Sequence, residues 1–178
     1  MATRKVTILV IEDDPGDQVL IERCLRAAAA DATIHILGSG TEAISYLMGE
    51  GKYADRARCP YPTFIITDLK MAGTDGFDVL EHIKANPAWA VIPTVVLSSS
   101  ADPDDVRTAY LLGASAYQSK PDRLEDLCRQ MKTLYDYWMD CLVPEVDVSG
   151  KQLPTRSKGR LGERFPQPTQ TRQARVKR

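Results

Sequence analysis

Residues 6–14 read VTILVIEDD: five Val, Ile or Leu and one Thr, followed at once by three acids. A continuous apolar run of this length, rather than an alternating one, predicts a strand covered on both faces. The pattern recurs along the chain. Residues 63–67 run into Asp68, residues 94–97 into Ser98, and residues 115–119 into Lys120 and Pro121. A further apolar run, 33–37, ends at Gly38. Stretches of helical period separate these runs. Strand and helix in alternation predict an α/β fold with a parallel sheet. In such a sheet the strand C-termini share one edge, where these folds bind ligands. Acids, a hydroxyl and an ammonium are thus expected to converge. That set suits a divalent cation together with a phosphoryl group.

The bulk numbers agree with one domain carrying an appendage. The chain has 178 residues, 43% hydrophobic and 26% charged, as in ordinary globular proteins. No apolar run approaches the about 18 residues needed to span a bilayer. The first residues, Met1 to Lys5, lead straight into a strand without the layout of a signal peptide, so the expected location is the cytoplasm, with no membrane partner. Cys24, Cys59, Cys128 and Cys141 are scattered and form no CxxC pair. Cys24 and Cys128 fall among apolar helix positions and are expected to be reduced core residues. The net charge of −1 conceals an asymmetry. Residues 149–178 hold nine basic side chains and one acid, Glu163, while residues 1–148 hold 14 basic and 23 acidic ones.

Helices are expected from about residue 15, over 41–48, 77–85, 103–112 and 124–142. The first carries Val19, Leu20, Cys24, Leu25 and Ala28 on one stripe; the fourth ends at Gly113, a natural left-handed cap. The last carries Leu124, Leu127, Cys128, Met131, Leu134, Tyr135, Trp138 and Leu142. Its aromatic end serves equally as extended core or as a partner surface. Residues 49–62 form a polar loop. After Pro144 the pattern collapses into a polar, basic, Gly- and Pro-rich stretch that cannot bury enough apolar surface to offset its ordering entropy. Residues 1–146 are therefore expected to form the domain and 147–178 a disordered basic tail. That tail lacks a helix-turn-helix pattern, and nucleic acid is not the expected partner. Asp14 and Asp17 read as helix-start residues. His35 and His82 read as surface residues. Gly38-Ser39-Gly40-Thr41-Glu42-Ala43 fits a dinucleotide fingerprint, but it follows the second strand and no acid ends a strand near 20 residues on, so it reads as a glycine turn with Thr41 as cap.

The motif set resembles the receiver domain of two-component response regulators over residues 5–143. Glu12 and Asp13 end the first strand and Asp68 the third; Ser98 follows Asp68 by 30 residues, and Lys120 follows Ser98 by 22 and precedes Pro121. The turn Gly73-Thr74-Asp75-Gly76 is also similar to the family's. The loop before the third strand and the aromatic end of the last helix resemble the small single-domain regulators that pair with phytochrome-type kinases. The resemblance implies a flavodoxin-like (βα)5 doubly wound sheet with strand order 2-1-3-4-5. It implies Mg²⁺ held by Asp13 and Asp68, by Glu12 through water, and by the backbone carbonyl of Lys70. It makes Asp68 the phosphoacceptor for a sensor histidine kinase, Ser98 a phosphoryl hydrogen-bond partner, Tyr117 the switch aromatic, and Lys120–Pro121 a cis peptide. Output would pass through helix four, strand five and helix five, including a homodimer. Two departures stand out. Met71-Ala72 replaces the family's Met-Pro, and Lys70 occupies a place that influences phosphoryl lifetime, its ammonium either over the phosphoryl group or in solvent.

Elementary chemistry supports that assignment. Two carboxylates near 4 Å repel by about 4 kcal/mol at an effective dielectric of 20. Mg²⁺ relieves the repulsion and accepts carboxylates, waters and phosphate oxygens. An aspartate so placed is a nucleophile of aspartyl-phosphate chemistry, and a lysine neutralises charge on the equatorial oxygens. On this view the chain is a phosphoacceptor signalling protein and not an enzyme. Two alternatives use the same residues. One is a Mg²⁺-dependent phosphohydrolase with an aspartyl nucleophile, which Lys70 disfavours by standing where a second carboxylate would be needed. The other is a receiver-like binding module that is never phosphorylated.

Overall fold

The computed structural model describes residues 5–144 and residue 146; the expected tail, 147–178, lies outside the described residues. Five strands, β1 (Thr7–Ile11), β2 (Thr33–Leu37), β3 (Phe64–Thr67), β4 (Thr94–Ser98) and β5 (Ala116–Ser119), alternate with α1 (Pro15–Ala28), α2 (Gly40–Met48), α3 (Gly76–Ala85), α4 (Pro103–Leu111) and α5 (Leu124–Asp140). All pairings are parallel, in the order β2-β1-β3-β4-β5. This is the flavodoxin-like doubly wound sheet.

Side chains along each strand point alternately to the two faces; both faces of β1, β3 and β4 are covered, whereas the edge strands β2 and β5 are only partly buried because each has a neighbour on one side alone. Ile8, Val10, Phe64, Ile66, Val95 and Leu97 pack under α1 and α5 with Ile21, Leu25, Met131 and Leu134. Leu9, Ile11 and Ile65 pack under α2 and α3 with Ala43, Leu47, Val79 and Ile83. Val96 joins Leu69, Leu80 and Ala109 beneath α4. Each such side chain contributes about 1.5–3 kcal/mol on burial, which is why the central strands carry no polar alternation. Trp138 stacks on Phe64, and Tyr135 also packs against this core, so most of the α5 aromatic end is core. Tyr137 remains exposed.

Several expectations are corrected. Cys24 and Cys128 are disulfide-bonded rather than reduced, because α1 and α5 pack with these two Cα atoms only 4.5 Å apart, within bridging range. The α2 cap is Ser39, whose hydroxyl accepts from the Glu42 N–H at 3.1 Å, rather than Thr41, which lies inside the helix. A Cβ on Gly40 would sit 2.5 Å from the Thr74 carbonyl oxygen, so that glycine serves close packing of α2 on the β3–α3 loop. His35 is half-buried, with its ring against Tyr46 and its Nε2 shielded from solvent. The reason is that β2 turns this side chain inward, under α2. No cis peptide occurs among the described residues; Lys120–Pro121 is trans, the isomer X–Pro bonds still favour. Helix α5 stops at Asp140, and Leu142 beyond it is exposed. In the 49–62 loop, the Arg56 guanidinium donates to the Tyr46, Leu47 and Cys59 carbonyls and stacks on Tyr61. It thereby closes the C-terminal end of α2.

Candidate functional site at the sheet edge

Three parallel strands end side by side and set the site. Ile11 pairs with Thr67, and Thr67 with Val96, so Glu12 and Asp68 leave adjacent strands at the same level. The Asp68 N–H donates to the Ile11 carbonyl at 2.9 Å, which locks that register one residue further. Asp68 must then turn sharply into α3. A Cβ on Gly76 would lie 2.1 Å from the Asp68 carbonyl oxygen, so only glycine lets α3 begin against this strand end. Asp75 caps that helix by accepting from the Phe77 and Asp78 N–H groups, and Asp78 accepts in return from the Asp75 N–H.

Each acid has a fixed role in this arrangement. Asp68 Oδ1 accepts from the Leu69 N–H at 2.6 Å and, at 3.3 Å, from the Lys70 N–H, leaving Oδ2 turned into the cleft. Asp13 Oδ2 accepts from the Ala72 N–H at 3.0 Å and draws the β3–α3 loop toward β1. Glu12 Oε1 accepts from the Asp14 N–H. Glu12, Asp13 and Asp68 each offer a carboxylate oxygen, all within 4.8 Å of one another. Oxygen donors alone, with two of the acids buried, fit a hard cation such as Mg²⁺. Burial raises the Glu12 pKa; the Lys120 ammonium opposes the shift and the Asp68 charge adds to it.

Lys120 reaches this cluster from the loop after β5. Its Nζ donates to Glu12 Oε2 at 2.7 Å, Asp17 Oδ2 at 2.7 Å and Asp68 Oδ2 at 3.0 Å. Burial works against the charge, but the hydrogen bonds to Asp17, Glu12 and Asp68 outweigh it and hold the pKa above the ordinary lysine value. Asp17 is the site residue that the sequence reading missed. It stands in the first turn of α1, where an acid also reads as a partner of the helix dipole, and no motif spacing ties it to a lysine 103 residues away.

Ser98 ends β4 fully buried, with its Oγ accepting from the Ser100 N–H at 3.3 Å, and its carbonyl accepts from the Lys120 N–H. The Tyr117 hydroxyl donates to the Ser100 carbonyl at 2.9 Å. Burial raises its pKa. The Lys70 ammonium lies 3.8 Å from Asp105 Oδ2, which also accepts from Ser100 Oγ at 2.5 Å, so Lys70 leans toward α4. Glu12, Asp13, Asp68, Lys70, Ser98 and Lys120 thus gather at the C-terminal edge of the sheet, with the Tyr117 hydroxyl against the loop after β4. His82 is exposed and stands against Trp89, away from that edge.

Comparisons with known proteins agree with the geometry. Residues 8–132 match the family model described as response regulator receiver domain. The chain is 34% identical over 133 residues to response regulator Rcp1 of Synechocystis sp., spanning 75% of this chain and 88% of that protein. Among solved structures, the phosphorylated cyanobacterial phytochrome response regulator RcpA is similar, with a TM-score of 0.74 and 32% identity over 80% of this chain and 100% of that one. The Mn²⁺-bound form of Rcp1 aligns with a TM-score of 0.71 and 33% identity over 79% of this chain and 99% of that one.

Proposed function

This chain belongs to the response regulator receiver domain family, and on that premise we propose that it accepts a phosphoryl group on Asp68 from a sensor histidine kinase of the phytochrome type. The observation that carries the proposal is the convergence of Glu12, Asp13, Asp68 and Lys120 at one sheet edge. Asp68 Oδ2 attacks the phosphorus of the donor phosphohistidine, the P–N bond breaks, and the imidazole leaves with the electron pair and takes up a proton. Lys120 supplies the positive charge for the equatorial oxygens, and Ser98 Oγ the hydrogen bond to the transferred group. Glu12, Asp13 and Asp68, with the Lys70 carbonyl, would hold Mg²⁺, which supplies charge neutralisation between nucleophile and phosphoryl group. The phosphorylated structure of RcpA and the Mn²⁺-bound structure of Rcp1 support this chemistry by similarity.

Output passes through the α4–β5–α5 surface, including homodimerisation, as a population shift toward the phosphorylated conformation. The domain spans residues 1–146, residues 147–178 are an appended basic tail, and the protein works in the cytoplasm. Among the described residues no helix is long and apolar enough to cross a membrane. Incubation of the full chain with acetyl phosphate and Mg²⁺ should raise its intact mass by one phosphoryl group. Asp68→Asn should abolish the gain; labelling retained in that variant excludes Asp68 as acceptor.

A further inference from the structure

An ammonium has three donors, and Lys120 spends all three on carboxylates: Glu12, Asp17 and Asp68. Glu12 and Asp68 also belong to the cation cluster, whereas Asp17 does not. The three partners therefore differ in kind. Two are shared between lysine and cation, and one belongs to the lysine alone. Asp17 is also the most solvent-accessible of the three, on the first turn of α1, so it alone can hold the ammonium at the mouth of the cleft rather than within it. The same ion pair ties α1 to the loop between β5 and α5.

We propose that Asp17 is a positioning residue for Lys120, the anchor that keeps the ammonium when the cation takes the shared acids and that gives it up when a phosphoryl group arrives. The proposal rests on Asp68 being the phosphoacceptor. Two effects of opposite sign follow from one lost charge. Without the Asp17 carboxylate, Lys120 stays wholly on Glu12 and Asp68 and competes with the cation. Once the cation is bound, the same lysine has no outside partner left and turns more readily to a phosphoryl group.

The test is calorimetric titration of the full chain, wild type against Asp17→Asn, first with Mg²⁺ alone and then with beryllofluoride at saturating Mg²⁺. The variant should bind Mg²⁺ about tenfold more weakly, the low end for a charge-assisted hydrogen bond because Asp17 is partly exposed. It should bind beryllofluoride more tightly by a similar factor. Asp17→Glu, which keeps the carboxylate, should return both values toward wild type. A merely structural role for Asp17 would lower the melting temperature and move both affinities the same way or neither; either result overturns the proposal. Wild type that binds neither Mg²⁺ nor beryllofluoride would instead overturn the phosphoacceptor assignment, and the role of Asp17 with it.

Discussion

Glu12 ionises at a cost. It is 1% exposed, and both its burial and the neighbouring Asp68 charge push its pKa above the ordinary 4.5, against the pull of Lys120. A carboxyl whose pKa is raised by folding stabilises the fold below its unfolded value, and that contribution disappears as pH rises through the raised value. Above that raised value, without metal, the ionised side chain therefore weakens the protein. Glu12→Gln should raise Tm by about 2–4 °C at pH 7 in a chelator, a shift typical of one relieved interaction in a chain of this size. The gain should shrink toward pH 4, and Mg²⁺ should protect the variant less than wild type. Scanning calorimetry across that range measures it; a lower Tm at pH 7 would show that Lys120 already outweighs the burial.

At the scale of elements, α1 and α5 are joined in two ways. The apolar interface of Ile21, Leu25, Leu127 and Met131 brings them together, and the Cys24–Cys128 bond spans 104 residues of sequence. A cross-link over a loop of that length restricts the unfolded chain strongly, by up to about 5 kcal/mol in the chain-entropy account. Cys24→Ala should lower Tm under oxidising conditions by several degrees. Dithiothreitol should lower the wild type toward the variant and leave the variant unchanged. Equal melting of wild type with and without reductant would mean the two thiols are not bridged in solution. Burial of Cys24 hides the pairing from any count of cysteines, because the residue looks like core.

Taken as a whole, the molecule buries its apolar surface under five helices and still exposes Tyr110, Leu111 and Tyr137 on α4 and α5, with Leu111 at 76% exposure. Beside them, Asp105 receives Lys70 and Ser100 from the site, and Tyr117 meets the Ser100 backbone. On the proposed output path, these contacts would link a change at Asp68 to that face. Beryllofluoride with Mg²⁺ should raise the molar mass seen by light scattering toward that of a dimer. Leu111→Glu should reduce association without affecting phosphorylation of Asp68. A mass that stays monomeric at high protein concentration would exclude the α4–β5–α5 surface as a self-association face.

The linear chain was enough to establish the sheet, its hidden strands and the residues at its edge. Continuous runs such as 6–11 and 94–97 predict cover on both faces, and Glu12, Asp13, Asp68 and Ser98 stand at the ends of such runs, whereas Lys120 follows the mixed stretch 115–119, whose strand β5 is only partly buried. Local order sufficed there because strand direction and side-chain period are local properties. Tertiary structure alone decided which partners meet across the chain: Asp17 with Lys120, Lys70 with Asp105, Cys24 with Cys128, and His35 with Tyr46. Each of these pairs joins elements whose rotation and spacing are set by packing of the whole core, and no periodicity in the sequence records which side chains that packing brings within reach.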